Sequence, residues 1–436
     1  IFVADYSSKG IKNPVDIMAN EPWESPLRPF GGLEQTSWSP DGKYIAYTSR
    51  KKTGLAYTLS TDSNIWLYNL ETRQTKNLTP QNPGYDRDPA FSPDGKQIAW
   101  LSMQGKAYEA DKSRLMVQDI NSGKTRVMTS ARDRDVTEFI WSEDGKSIYF
   151  ISPWQACSQI YHLDLKTRNI TQMTQGRNTY SNISLAGKKL IAQRCSMKEP
   201  PDIYSVDIKN KESKNLSRLN QKALSRLCLG QVTQRWIKTT DQQKMLTLLI
   251  MPPDFDPQKT YPALLYCEGG PEVPLTHYWS WRWNMQTFAA KGYIVIAPCR
   301  RGIVGFGQKW KEQVLKDWGG QAMRDLLSAI DTISREPWVD QERLAAIGPS
   351  FGGFSVYWLA GNHQKRFKTF VAHDGPFNLK EMYLQTDEMW FVNSEFGGPY
   401  WKTKNGTTPK SYNFSPHNFI SKWDTPILVI HGQRDY

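Results

Sequence analysis

Arg343-Leu344-Ala345-Ala346-Ile347-Gly348-Pro349-Ser350-Phe351-Gly352-Gly353 decides how the second half of this chain folds. Its first five residues form a largely apolar run of buried-strand length, and residues 354–361 continue it as a helical stretch. A G-x-S-x-G sequence between a strand and a helix is a sharp turn that holds a serine up at the helix start. Glycines flank the serine because side chains beside so tight a turn would collide. The free amides and the dipole of the helix N-terminus then favour negative charge beside Ser350. The segment therefore predicts a nucleophilic serine.

Outward from this turn, strand-like runs at 246–251, 263–267, 293–297, 344–347, 369–372 and 427–430 alternate with helical segments such as 320–335. That alternation predicts a mostly parallel sheet covered by helices, an α/β-hydrolase domain over residues 226–436. In this fold the catalytic residues follow the order serine, acid, histidine. The run 427–430 leads into His431-Gly432-Gln433-Arg434-Asp435, which puts Asp435 where the acid belongs, with a turn-capping aspartate as the plainer reading. Asp374 in His373-Asp374-Gly375 competes for the role but lies one strand earlier. All six histidines precede Asp435, so the triad histidine is expected beyond Tyr436, and the chain as written is expected to be unable to deprotonate Ser350. Two amides are expected to form an oxyanion hole. One is that of Phe351; the other is that of Gly270, in Cys267-Glu268-Gly269-Gly270-Pro271, a stretch that also reads as an ordinary turn.

Before residue 226 the pattern is a repeat. Trp38-Ser39-Pro40-Asp41-Gly42, Phe91-Ser92-Pro93-Asp94-Gly95 and Trp141-Ser142-Glu143-Asp144-Gly145 each lead into an alternating apolar strand, and a degenerate copy runs through Ser184-Leu185-Ala186-Gly187. A period of about 50 residues suits one four-stranded sheet per repeat, so residues 1–225 are read as β-propeller blades. Residues 1–30 look like the tail of one further blade, and the propeller is read as incomplete in this chain.

Composition excludes several classes. Hydrophobic residues at 39% and charged residues at 22% describe a globular protein. The formal net charge of +12 is spread along the chain, without a nucleic-acid-binding module, and reads as a solvated basic surface. Five cysteines with no C-x-x-C spacing argue against a metal site and against a disulfide framework. No metal and no cofactor are expected.

Together these motifs resemble a known family. A propeller with W-S-P-D-G turns precedes a domain with Glu268-Gly269-Gly270-Pro271, Arg300-Arg301-Gly302 followed by Gly305-Phe306-Gly307, the Ser350 turn, and His431-Gly432-Gln433-Arg434-Asp435. The chain is similar over essentially its whole length to the prolyl oligopeptidase family of serine peptidases. Segments such as residues 49–54, 308–310, 388–391 and 422–426 are most similar to its bacterial dipeptidyl-peptidase and acylaminoacyl-peptidase branch. The resemblance implies cleavage of short peptides under a propeller lid, with release of N-terminal dipeptides after Ala or hydrophobic residues. It also implies a periplasmic or secreted location. With the charge dispersed and no apolar run of spanning length, no nucleic-acid or membrane partner is expected, and a homodimer is allowed. Three departures stand out. Glu268 occupies the place where proline-cleaving relatives have an oxyanion-binding tyrosine, Pro349 replaces a small residue, and the histidine segment is absent.

By the same resemblance, a specificity pocket is expected from Phe377, Met382, Tyr383, Trp390 and Phe391, for which core packing is the equal alternative. Glu109 and Asp111 are candidates to hold the substrate amine. Two rivals remain open on sequence grounds: an esterase of the same fold, and a propeller binding protein with an inactive hydrolase domain.

Overall fold

In the computed structural model, which describes residues 1–28, 31–108, 110–402 and 409–435, the repeats fold as antiparallel sheets. The first consists of Thr36–Trp38, Tyr44–Ser49, Asn64–Asn69 and Thr75–Asn77; the second of Tyr85–Phe91, Gln97–Met103, Arg114–Asp119 and Thr125–Val127. Ala46, Ile65 and Leu67 of one pack against Ile98, Trp100 and Met116 of the other, so adjacent blades bury each other's apolar faces. The strands of the third and fourth repeats are joined into one larger sheet by a parallel bridge from Ser158 to Thr179. Residues 2–16 form a hairpin followed by Ile17 and Met18, which pack on Ile45 and Tyr47.

The serine of each turn motif matters more than the proline. Ser39 Oγ donates to Asp41 Oδ1 at 2.6 Å and accepts from the Tyr44 amide at 2.8 Å, while Asp41 also accepts from the Lys43 amide. Ser92 with Asp94 and Ser142 with Asp144 repeat this network, the last in a copy that has Glu143 in place of proline. Gly42, Gly95 and Gly145 close the turn at φ of +71°, +69° and +65°.

The second architecture is a seven-stranded sheet of β1 (Val232–Lys238), β2 (Lys244–Ile250), β3 (Tyr261–Tyr266), β4 (Ile294–Pro298), β5 (Val339–Pro349), β6 (Thr369–His373) and β7 (Ile427–Ile430). The spatial order is 1-2-4-3-5-6-7, with β1–β2 and β2–β4 antiparallel and the other neighbours parallel. Sequence periodicity missed β1, because it lies at the sheet edge and its apolar residues Val232, Trp236 and Ile237 are divided between two mixed faces. Apolar side chains from the central strands, among them Leu248, Ile250, Leu264, Val295, Ala297 and Ile347, form the core under the sheet. Helix α1 (Gln321–Ile333) packs against β4 and β1, and its Ala322, Met323, Leu326, Ala329, Ile330 and Ile333, at helical 3–4 spacing, are all buried. Helix α2 (Phe351–Ala360) follows β5 directly.

Internal packing separates two compact units. One contains Ile1–Phe150, His162–Thr171 and Glu388–Phe391; the other contains Ile151–Tyr161, Gln172–Asp387 and Val392–Tyr436. This division runs through the third blade. No helix among the described residues is long and apolar enough to cross a membrane.

Candidate active site

The turn between β5 and α2 carries Ser350 at φ +55°, ψ −123°, a backbone conformation that side chains other than glycine rarely adopt. Tertiary contacts hold it there. The Ser350 amide donates to His373 O at the end of β6 at 2.8 Å, and Ser350 O accepts from the Phe354 amide at 3.0 Å. The flanking glycines are needed for close approach of other segments as much as for the sharpness of the turn. A Cβ on Gly352 would stand 2.0 Å from Cys267 O, and one on Gly348 would stand 2.5 Å from Gly352 O and 2.7 Å from Cys267 O. A Cβ on Gly353 would stand 2.6 Å from His373 O and 2.8 Å from Gly375 Cα.

The loop after β3 lies against this turn. A Cβ on Gly269 would be 3.6 Å from Ser350 Cβ. Gly270 takes φ +104°, and its amide, like that of Phe351 at the start of α2, carries no hydrogen bond among the described residues. The residue after the serine and the residue after Gly269 thus each carry an amide without a hydrogen bond among the described residues. Glu268 is buried at the foot of this loop, where its Oε1 accepts from the Gly269 amide at 3.0 Å, and burial pushes its carboxyl above the usual range.

Ser350 and Asp435 line one cleft of about 640 Å³, together with Arg282, His373, Asp374, Phe377, Met382 and His431. The two aspartates there are in different situations. Asp374 is committed: Oδ1 accepts from the Gly432 amide at 2.9 Å, Oδ2 lies 2.8 Å from His373 Nδ1, and its own amide donates to Ile430 O. It pins the turn that follows β7. Asp435 is exposed, and its carboxylate has no hydrogen bond among the described residues, which leaves it open to a partner. Ligand atoms of Asp374, His431 and Asp435 come within 4.8 Å of one another; all are solvated, and exposed acidic groups often converge in this way without an ion.

Residues 279–436 match the sequence profile described as the prolyl oligopeptidase family, and residues 34–225 match that of the TolB beta propeller domain. The chain carries a prolyl oligopeptidase family domain. It is 48% identical over 435 residues to dipeptidyl-peptidase 5 of Porphyromonas gingivalis, covering all of this chain and 64% of that protein. It is 45% identical to dipeptidyl-peptidase 5 of Porphyromonas endodontalis, covering all of this chain and 63% of that protein. The chain thus spans somewhat under two thirds of the length of these curated relatives. Among solved structures, an acylaminoacyl peptidase of Pyrococcus horikoshii superposes with a TM-score of 0.77 at 20% identity, covering 91% of this chain and 60% of that one. Dipeptidyl peptidase 4 of Porphyromonas gingivalis superposes with a TM-score of 0.65 at 17% identity, covering 91% of this chain and 66% of that one. At such identities these two show a shared fold.

Within the prolyl oligopeptidase family domain, the expected pocket residues separate. Phe377 and Met382 do line the Ser350 cleft. Tyr383 does not: it is buried in an aromatic cluster with Tyr400, Trp401 and Tyr412, and its hydroxyl donates to Asn393 Oδ1 at 2.8 Å. Here core packing won. Trp390 and Phe391 group with the other unit, where Trp390 lines a separate cavity beside Arg50, Arg87 and Asp88. Asp111, the other candidate for the substrate amine, is engaged locally. It accepts from the amides of Gln104, Gly105 and Lys112 and pairs with Arg114, so its carboxylate is used in holding its own loop. Glu109 lies outside the described residues. Reasoning from sequence did not assign Arg282 or His373 to the cleft; His373 adjoins Asp374, the competing acid, but nothing in a linear reading marks Arg282 as close to Ser350.

Proposed function

We propose that this protein is a serine exopeptidase that releases N-terminal dipeptides from short peptides, with Ala or a hydrophobic residue before the cut. The observation that carries the reading is the exposed Ser350, held in a strained turn at the start of α2 with the loop of Gly269 against it; in this reading the amides of Phe351 and Gly270 serve as the oxyanion hole. In this mechanism Ser350 Oγ attacks the scissile carbonyl, and the developing oxyanion takes hydrogen bonds from those two amides. Asp435, on the same cleft, orients and stabilises a histidine that takes the serine proton and passes it to the leaving amine. An acyl-enzyme forms as the leaving amine departs, and water then frees the dipeptide. Phe377 and Met382 supply apolar surface for the side chain before the cut. The names of the two Porphyromonas relatives support dipeptide release. A periplasmic or secreted location is part of the same proposal.

The test uses the full-length protein with fluorogenic Xaa-Ala reporters, bearing either a free or an acetylated amine, alongside acetyl-aminoacyl reporters. Free-amine dipeptidyl substrates are expected to be turned over, with activity lost in Ser350→Ala. Preference for acetyl-aminoacyl substrates would move the protein to the acylaminoacyl-peptidase reading. Amidase activity surviving in Ser350→Ala would refute the mechanism.

A further inference from the structure

Arg300 is fully buried, and the hydrogen-bond acceptors it uses are backbone carbonyls. Nη2 donates to Glu268 O at 2.9 Å and Gly269 O at 2.7 Å; Nη1 donates to Pro271 O at 3.2 Å and Arg301 O at 2.8 Å. Its neighbour Arg301 is different: it is equally buried but pairs with the carboxylates of Asp325 and Asp241. A buried guanidinium spent on carbonyls is expensive, and charge-assisted bonds to several acceptors offset that cost. Three of these four acceptors belong to the loop from Glu268 to Pro271.

That choice of acceptors has a geometric consequence. Within a trans peptide unit the carbonyl and the following N–H point in opposite directions. With Gly269 O drawn to Arg300, the Gly270 N–H must face away from the guanidinium. Ser350 is close to this loop, since a Cβ on Gly269 would meet Pro349 O at 3.3 Å and Ser350 Cβ at 3.6 Å. The guanidinium also lies over the Phe351 ring, 4.2 Å from its centroid, and so touches the residue that bears the other free amide. Gly302 makes room for the arrangement: at φ +97°, a Cβ there would stand 2.9 Å from both Arg300 Nη1 and Pro271 O.

We infer that Arg300 is a positioning residue for the oxyanion hole, turning the Gly270 amide toward Ser350 and tying that loop to Phe351. The inference rests on the reading of Ser350 as the nucleophile. Lysine cannot replace it, because one ammonium does not span carbonyls that a planar fork reaches together.

Arg300→Lys and Arg300→Gln in the full-length protein test it, with steady-state kinetics on the dipeptidyl reporter and inhibition by a peptidyl trifluoromethyl ketone and by the product dipeptide. Loss of one oxyanion donor typically costs about 10²–10³-fold in kcat. The expected result is a fall of about 10²-fold in kcat, with KM within about three-fold. The ketone, which forms a tetrahedral adduct, should weaken in step with kcat, and product inhibition should stay unchanged. If the glutamine variant fails to fold, the lysine variant, which keeps the buried charge, carries the same measurements. Unchanged kcat in a folded variant, or equal weakening of ketone and product, overturns the inference. Ser350→Ala run in parallel separates the two ideas: activity surviving there sinks the nucleophile reading, whereas activity surviving only in the Arg300 variants sinks the role of Arg300.

Discussion

Replacing Ser350 by glycine should make the protein more stable while abolishing its activity, and alanine at the same position provides the control. At φ +55°, ψ −123° a side chain is strained, by about 1–3 kcal/mol for a conformation of this kind. Glycine relieves that strain, but its extra freedom in the unfolded chain takes back about 0.5–1 kcal/mol. Alanine keeps the Cβ and loses only an exposed hydroxyl that caps nothing in the helix. The difference between Ser350→Gly and Ser350→Ala therefore isolates the backbone term, at about 0.5–2 kcal/mol in favour of glycine. In a domain of this size each kcal/mol moves Tm by about 2–4 °C. Scanning calorimetry of both inactive variants at matched scan rates reads it directly. A Ser350→Gly transition at or below that of Ser350→Ala would refute the claim that the turn is held under strain.

The two cleft carboxylates should separate kinetically in the full-length protein. Asp435→Asn is expected to lower kcat by about 10³–10⁴-fold, as loss of a histidine-orienting carboxylate does elsewhere, while Asp374→Asn, whose carboxylate is bound to the Gly432 turn, is expected to cost less than about ten-fold; equal losses would reverse the assignment. In the propeller, burial pushes the Asp86 carboxyl up to about 6, where its Oδ1 accepts from Trp100 Nε1 at 3.0 Å. A folded-state value above the unfolded one means its stabilising contribution is present below about pH 4 and is lost as pH rises through about 6. Asp86→Asn, which keeps an acceptor for Trp100, should therefore gain on the parent by up to about 3 kcal/mol between those limits, as read from urea midpoints at pH 4 to 7. A gain that does not vary with pH would contradict this.

The alternation of strands and helices and the turn at Ser350 were legible in the chain because both are local patterns: a buried strand reads as an apolar run, and a sharp turn reads as glycine. The propeller turns were legible for the same reason, although their serine and aspartate network shows only in space. Pocket lining was a different matter. Tyr383 and Met382 are adjacent on one short helix, yet one is buried in an aromatic cluster and the other faces the cleft. Asp111 has the composition of an amine anchor but is consumed by three amides and an arginine.

What the sequence determined by itself is the chemistry available at the turn: a serine between glycines, an acid after the later strand, and a Gly-Gly loop after an earlier one. Only the tertiary structure decided which of these groups are free to act. Asp374 and Asp435 look alike as letters, but β6 and β7 lie side by side, so the first is spent holding the turn that presents the second. The carbonyls of Glu268 and Gly269, just before the Gly270 amide, are held by Arg300, distant in sequence. Hydrogen-bond partners are set by what lies opposite in space, and a linear pattern does not encode that.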